Sequence, residues 1–217
     1  MKAMDDHEFY ETPETFSHYL FREIPITGTV FEPCVGSGAI LRAAHAVPSE
    51  QPRQWLTNDY DERWPADWHH DAANEHLWRN VITPNAQIDW TVSNTAFTPA
   101  IDIATLALKY SKVGVALLLR ATIHEVLKTG IRRTWMADNP PTGILWLPRF
   151  GFQRSKATKK WSTDSACCCW LIWQKGAPGQ FIRYAPGWVL DALDDETPAY
   201  RARMDALMET RQPMLLG

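Results

Sequence analysis

The chain has 217 residues, 45% of them hydrophobic and 22% charged, with a formal net charge of −3. That length and balance fit one compact domain, residues 1–217, with a full-sized core. They show no overall basic excess of the kind a nucleic-acid binder often carries. No apolar run approaches the roughly 18 residues that a membrane helix needs. The opening MKAMDDHEFYETPETF is acidic and aromatic and lacks a secretory h-region. The expectation is a cytoplasmic chain with no membrane partner.

In chain order, Glu14–Ile24 places Phe16, Tyr19, Leu20 and Ile24 at helical spacing. Thr29–Glu32 is a short apolar strand that runs into a glycine turn. A helix over Ala39–Ala46 follows and stops near Pro48. Gln54–Asn58 and Ile88–Ser93 read as strands, Thr98–Tyr110 as a helix, Val113–Leu119 as a buried strand and Ile123–Lys128 as a helix. This alternation predicts an α/β fold with a mostly parallel sheet wrapped by helices. Gly143–Leu147 and Ala166–Gln174 are strand-like with no helix between them, which predicts an antiparallel hairpin closing the far edge. Residues 176–217 read as a helical extension packed on the domain, with stretches at Trp188–Leu193 and Tyr200–Met208.

The four cysteines do not form a disulfide or zinc framework. Cys34 stands alone, and Cys167, Cys168 and Cys169 are consecutive. Strand alternation would send Cys167 and Cys169 to one face and Cys168 to the other. All are expected to be small apolar fillers. Among the eleven tryptophans, Trp146, Trp170 and Trp173 sit in apolar strands and read as core.

The chemistry concentrates around VFEPCVGSGAI. A strand ending at Glu32, a turn carrying Gly36 and Gly38, and a helix beginning near Ala39 would present free N–H groups to a ligand. Asp59, at the end of the next strand and about 20 residues on, stands where doubly wound folds bind ribose hydroxyls. The third glycine of the dinucleotide fingerprint is missing from Gly36-Ser37-Gly38-Ala39-Ile40-Leu41, so a nicotinamide dinucleotide fits poorly.

With Glu32-Pro33 ahead of the glycines, the chain resembles the amino-methyltransferases of DNA, especially the small bacteriophage-type adenine enzymes. FYETP (Phe9–Pro13) resembles their N-terminal segment that closes over the cofactor. IDWTVSNTAF (Ile88–Phe97) stands in place of their catalytic loop, and KKWSTDSACCCWLIW (Lys159–Trp173) is similar to their late Thr-Asp-Ser segment. The order of the motifs matches the γ arrangement of that family.

The resemblance implies a Rossmann-like class I methyltransferase fold, S-adenosyl-L-methionine as cofactor, and N6 of adenine in DNA as acceptor. Around the cofactor it places Tyr10, Thr12, Pro13, Glu32, Pro33, Gly36, Gly38, Asp59, Tyr60, Asp71 and Asn94. Asp71 would read the adenine amine of the cofactor from its place after a third strand-like segment. Asn94, Thr95, Ala96 and Phe97 form the catalytic loop. The Asn94 amide oxygen and the Thr95 carbonyl would accept hydrogen bonds from the target amine, and Phe97 would stack on a flipped base. The family's two prolines are here Thr95 and Ala96, which leaves the loop less stiff.

No metal is expected, because His69 and His70 are adjacent and lack partner ligands; both are read as surface residues. Residues 149–160 (RFGFQRSKATKK) carry five cations and no acid. Arg154, Lys156, Lys159, Lys160 and Trp161 are candidates for contacting DNA, against a plain solvated loop. The partner is DNA, with RNA open, and the chain is a monomer or homodimer. Cytosine N4, an RNA amine or a non-catalytic cofactor-binding protein remain as alternatives.

Overall fold

The computed structural model describes residues 10–49, 52–124, 134–152, 160–161 and 167–210. Its strands are β1 (Gly28–Glu32), β2 (Arg53–Thr57), β3 (Trp90–Ser93), β4 (Gly114–Arg120), β5 (Gly143–Trp146), β6 (Cys168–Gln174) and β7 (Phe181–Tyr184). Its helices are α1 (Glu14–Glu23), α2 (Ala39–Ala46), α3 (Ala100–Tyr110), α4 (Trp135–Asp138) and α5 (Gly187–Thr210). One sheet runs in the order β2-β1-β3-β4-β6-β5-β7. From β2 to β4 neighbouring strands are parallel, and β6 is antiparallel to both β4 and β5.

Side-chain alternation divides the core in two. Val115, Leu117 and Leu119 of β4, with Cys169, Leu171 and Trp173 of β6, face α3, α4 and the segment Leu77–Ile82. Ala116 and Leu118, with Cys168, Trp170 and Ile172, face α1, α2 and α5. Period-two alternation thus separates Cys168 from Cys169 as expected, and both are buried. None of the four cysteines is in a disulfide, and burial pushes the Cys169 thiol up to about 12. Trp170 and Trp173 are buried, while Trp146 packs partly buried against the same core.

Helix α1 buries Phe16, Tyr19 and Leu20 on one stripe, each contributing about 1.5–3 kcal/mol by removal from water. Pro13 at its N-cap has no side-chain cap to offer. The carboxylate of Glu196, far along the chain in α5, accepts from the N–H groups of Glu14 and Thr15 at 2.8 and 2.9 Å. Two of the donors that every helix start leaves unpaired are thereby satisfied.

Four expectations need correction. The β5–β6 hairpin does not close the sheet: β6 inserts beside β4, and the edge is β7, parallel to β5. At four residues, with Ile182 and Tyr184 exposed, β7 lacks the apolar run that marks a buried strand, so the stretch after residue 176 opens with a strand before its helix. The two helical stretches beyond it are one helix, α5, which continues through Pro198. There the Thr197 hydroxyl donates to the Leu193 carbonyl at 2.6 Å. The third strand-like segment is reduced to a single parallel bridge between Asn58 and Trp68. Of the helix expected over Ile123–Lys128, Ile123 and His124 lie in a 3-10 turn, Ala121–His124, and residues 125–128 lie outside the described residues, so that expectation is not tested. None of the described helices is long and apolar enough to cross a membrane.

Candidate active site

The carboxyl ends of β1, β2 and β3 lie side by side where the strand order reverses, the position at which open α/β sheets bind ligands. Beyond Glu32 the chain turns through Gly36 and Gly38, whose φ angles of 51° and 75° favour glycine. Gly38 then caps α2 from the left-handed region. The loop is strapped to the end of β2 by two backbone donors. Val35 N–H donates to the Asn58 carbonyl at 2.9 Å, and Gly36 N–H donates to Asp59 Oδ2 at 2.8 Å.

Asn58, wholly buried, ties three segments together. Its Nδ2 donates to the carbonyls of Pro33 and His70 at 2.9 and 3.0 Å, and its Oδ1 accepts from His70 N–H at 3.0 Å. The glycine loop, the end of β2 and the approach to Asp71 are held by one amide. Sequence reasoning passed over it in favour of the adjacent carboxylate, although a lone Asn at a strand end was its only local mark.

A cavity of about 630 Å³ opens above these strand ends, within the range of small-molecule and cofactor sites. Of the residues expected around a cofactor, Tyr10, Thr12, Glu32, Pro33, Gly36, Asp59, Tyr60, Asp71 and Asn94 line it, as do Thr95 and Ala96. Pro13 and Gly38 lie outside the lining and serve as helix caps instead. His69 is exposed as expected, yet it belongs to the wall, and its Nδ1–H donates to the Asp59 carbonyl at 3.2 Å.

The wall is acidic. Burial first, and then the Asp59 carboxylate, push the Glu32 carboxyl well above the usual range. Among the described residues, the buried Glu32 Oε2 has no hydrogen-bond partner. Burial also raises Asp59, while N–H donation from Asp61 and Gly36 opposes the rise. Burial, with Asp59 and Glu32 nearby, raises the Cys34 thiol far above its ordinary value, so it is no nucleophile.

Glu11 was not singled out in the sequence, although it lies inside FYETP. Its carboxylate accepts from the Ser37 hydroxyl at 2.7 Å and pairs with Arg42 at 3.3 Å and Arg203 at 3.4 Å. The Tyr200 hydroxyl lies 2.9 Å from the Glu11 carbonyl. Residues 10–12 therefore form a strap across the cavity, pinned by α2 and α5.

Asn94 follows β3 and meets that strap. Its Nδ2 donates to the Tyr10 carbonyl at 3.0 Å and to Thr12 Oγ1 at 3.1 Å. Both amide hydrogens are spent, so the carbonyl oxygen is the side chain's remaining hydrogen-bonding atom. The buried Thr95 hydroxyl has no hydrogen-bond partner among the described residues. Phe97 does not line the large cavity and instead lines a second, much smaller space. Of the basic loop, Arg154, Lys156 and Lys159 lie outside the described residues. Lys160 is exposed, whereas Trp161 packs against the core, its ring 6.4 Å from Tyr200 and 5.4 Å beneath Arg201. Among the described residues, no three His, Cys, Asp or Glu side chains are grouped to hold a metal.

No family model matches the chain, and no curated protein matches it in sequence. Solved structures do match. A type I restriction-modification system methyltransferase subunit from Streptococcus thermophilus is 12% identical with a TM-score of 0.58, over 89% of this chain and 54% of that one. The M protein of the type I restriction enzyme EcoKI is 13% identical with a TM-score of 0.53, over 83% of this chain and 47% of its own. The fold is that of the Rossmann-like class I methyltransferases. An O-methyltransferase from Bacillus cereus, solved with S-adenosylhomocysteine, aligns over 79% of this chain and 84% of its own, at 12% identity and a TM-score of 0.51. The chain spans about half the length of the two restriction-system subunits.

Proposed function

We propose that this chain binds S-adenosyl-L-methionine in the large cavity and methylates the exocyclic amine of a base in DNA, N6 of adenine being the preferred acceptor. The observation that carries the reading is Asn94, whose amide spends both hydrogens on the strap and keeps an acceptor oxygen where the cavity meets the Phe97 pocket.

The lining suits the cofactor. Its two cationic groups match a wall holding Glu32, Asp59 and Asp71, and Glu32 Oε2 is a buried acceptor still in need of a donor. Each Asp59 oxygen accepts one backbone N–H and retains a lone pair for a ribose hydroxyl. Held there by Glu32, Asp59 and Asp71, the cofactor would supply a methyl group activated by its sulfonium, with a neutral thioether as the leaving group. Asn94 Oδ1 and the Thr95 carbonyl accept hydrogen bonds from the target amine, drawing its lone pair out of the ring and aiming it at the methyl carbon. The amine proton then departs to solvent. Asn94 needs no rearrangement for this, because the strap already fixes its orientation.

The alternative acceptors, cytosine N4 and RNA amines, present the same chemistry and are separated by experiment. Incubation with methyl-labelled cofactor and either DNA or RNA, then nucleoside mass spectrometry, should yield labelled N6-methyladenine from DNA. Label in another nucleoside reassigns the acceptor. Cofactor binding without transfer to any nucleic acid replaces this reading with that of a binding protein. No binding removes it altogether.

A further inference from the structure

Strand β6 is antiparallel to both β4 and β5, so β5 points the same way as β3 and β4, and its carboxyl end opens on the edge that holds Asn94. The chain leaves that edge through Arg149, Phe150 and Phe152. Helix α5 is fastened to the same edge: the Tyr200 hydroxyl lies 2.9 Å from the Glu11 carbonyl and 3.1 Å from the Phe152 carbonyl. Ring contacts run from Phe97 through Tyr10, Phe152, Phe150 and Tyr200 to Trp161, with centroids 4.9–6.4 Å apart at each step. An aromatic floor thus joins the proposed acceptor site to the middle of α5.

Two arginines of α5 stand at the end of this floor and are used differently. Arg203 is partly buried and turned inwards, 3.4 Å from Glu11 and 3.7 Å from Glu196. Arg201 is exposed, and its guanidinium carbon lies 5.4 Å from the Trp161 ring centroid. Among the described residues, no ion pair joins Arg201 or the exposed Arg149 to a carboxylate. Arg149 precedes and Arg201 follows the two members of one ring pair, Phe150 and Tyr200, whose centroids are 4.9 Å apart. Attraction to the indole face holds the Arg201 guanidinium in place but leaves its N–H donors for another partner. A guanidinium held this way matches phosphate oxygens two at a time.

We propose that Arg201 grips a backbone phosphate of the DNA that brings its base to Asn94, and that Trp161 is the platform of Arg201 rather than a surface for a base. This rests on the reading of the chain as a DNA methyltransferase and names a face on which that DNA lies. The chain carries −3 overall, so a polyanion is drawn to the edge where Arg149, Lys160 and Arg201 are all exposed. One helix then does two tasks, Arg203 pinning the strap from within while Arg201 faces the nucleic acid.

The test uses the full chain saturated with S-adenosylhomocysteine and follows a short fluorescent DNA duplex by anisotropy at several salt concentrations. Arg201→Ala should bind the duplex about 5- to 10-fold more weakly near about 0.1 M salt. Its slope of log affinity against log salt should be shallower by about 0.9, the release of one counterion. Arg201→Lys should keep most of the slope while losing affinity, because an ammonium retains the charge but not the fork. Trp161→Leu, which removes the π face and keeps an apolar side chain, should weaken binding alone but add nothing to Arg201→Ala. Calorimetry with S-adenosylhomocysteine checks that each variant is folded. A folded Arg201→Ala protein with an unchanged slope overturns the proposal, and equal losses from Trp161→Leu in both backgrounds overturn the platform. Tighter binding of the matching RNA duplex overturns DNA as the partner, and so does wild-type protein that binds S-adenosylhomocysteine but no duplex. Wild-type protein that fails to bind S-adenosylhomocysteine overturns the function reading and this proposal with it.

Discussion

Removing the Asn58 side chain should damage both the fold and the site, by an amount the structure allows to be worked out. Asn58→Ala deletes one buried and two partly buried hydrogen bonds and leaves the Pro33 carbonyl, the His70 carbonyl and the His70 N–H without the partners they have now. Each lost bond is worth about 1 kcal/mol, and a buried group left unpaired costs about 1–3 kcal/mol. Water entering from the neighbouring cavity recovers part of this, so the expected loss is about 3–5 kcal/mol. That is a large share of the roughly 5–15 kcal/mol by which domains are stable. It corresponds to a fall in Tm of about 10 °C for a chain of this size. Urea unfolding should show the shift in midpoint with an unchanged slope. Asn58→Asp is the sharper control: it still accepts from His70 N–H but turns a carboxylate oxygen towards two carbonyls, so it should be at least as unstable at neutral pH and recover partly in acid. An Asn58→Ala protein within about 1 kcal/mol of wild type would refute the idea that this amide holds the three loops.

Three further outcomes are expected. Because burial raises the Glu32 carboxyl of the native state well above its ordinary 4.5, this residue's contribution to stability falls as pH rises from about 4.5 towards the elevated native value. Glu32→Gln should therefore gain on wild type as pH rises above about 4.5 in urea unfolding while binding the cofactor more weakly; a pH-independent difference would count against it. Asn94→Ala should lower turnover by about 10²-fold or more, the scale of one lost preorganised contact, with a smaller change in cofactor affinity by calorimetry. Equal losses in the two would return Asn94 to a binding role. Glu196→Ala should cost about 0.5–2 kcal/mol as a lost helix cap, and cofactor affinity should fall with it; unchanged affinity would separate the cap from the strap.

What could be read from the chain was whatever is local and repeated. The apolar runs of β4 and β6, and the assignment of Cys168 and Cys169 to opposite faces, follow from alternation alone. The strand, glycine turn and helix around Gly36 follow from backbone requirements at two positions. What stayed hidden depends on partners distant in sequence. Glu196 caps a helix some 180 residues away, and nothing near Glu196 marks it. Arg120 is an unremarkable cation until folding sets it over Phe97. The short edge strand β7 has too little buried surface to write a pattern. The proposed catalytic loop lies between these cases: its residue types invited a role, but the orientation of the Asn94 amide comes from the strap.

On the proposed function, that dependence lets the loop be ordered without the two prolines of the amino-methyltransferases that the sequence resembles. Proline lowers the entropy lost on ordering a loop because it restricts the unfolded chain. Here Thr95 and Ala96 leave that loss uncompensated locally, and tertiary contacts take over. Asn94 is bonded to Tyr10 and Thr12, the strap is fixed through Glu11 to Arg42 and Arg203, and Glu196 holds the first turn of α1 just beyond it. Among the described residues, neither Thr95 N–H nor Ala96 N–H donates to a backbone carbonyl, so prolines would break no backbone hydrogen bond at either position. If the strap substitutes for loop stiffness, the two must be coupled. Thr95→Pro with Ala96→Pro should change turnover little in the wild-type background, yet restore much of the turnover lost in Glu196→Ala. The coupling from this cycle should be about 0.5–1 kcal/mol, the size of a proline's entropic effect. Strict additivity, with the prolines equally neutral in both backgrounds, would show that the loop is ordered by something other than the strap.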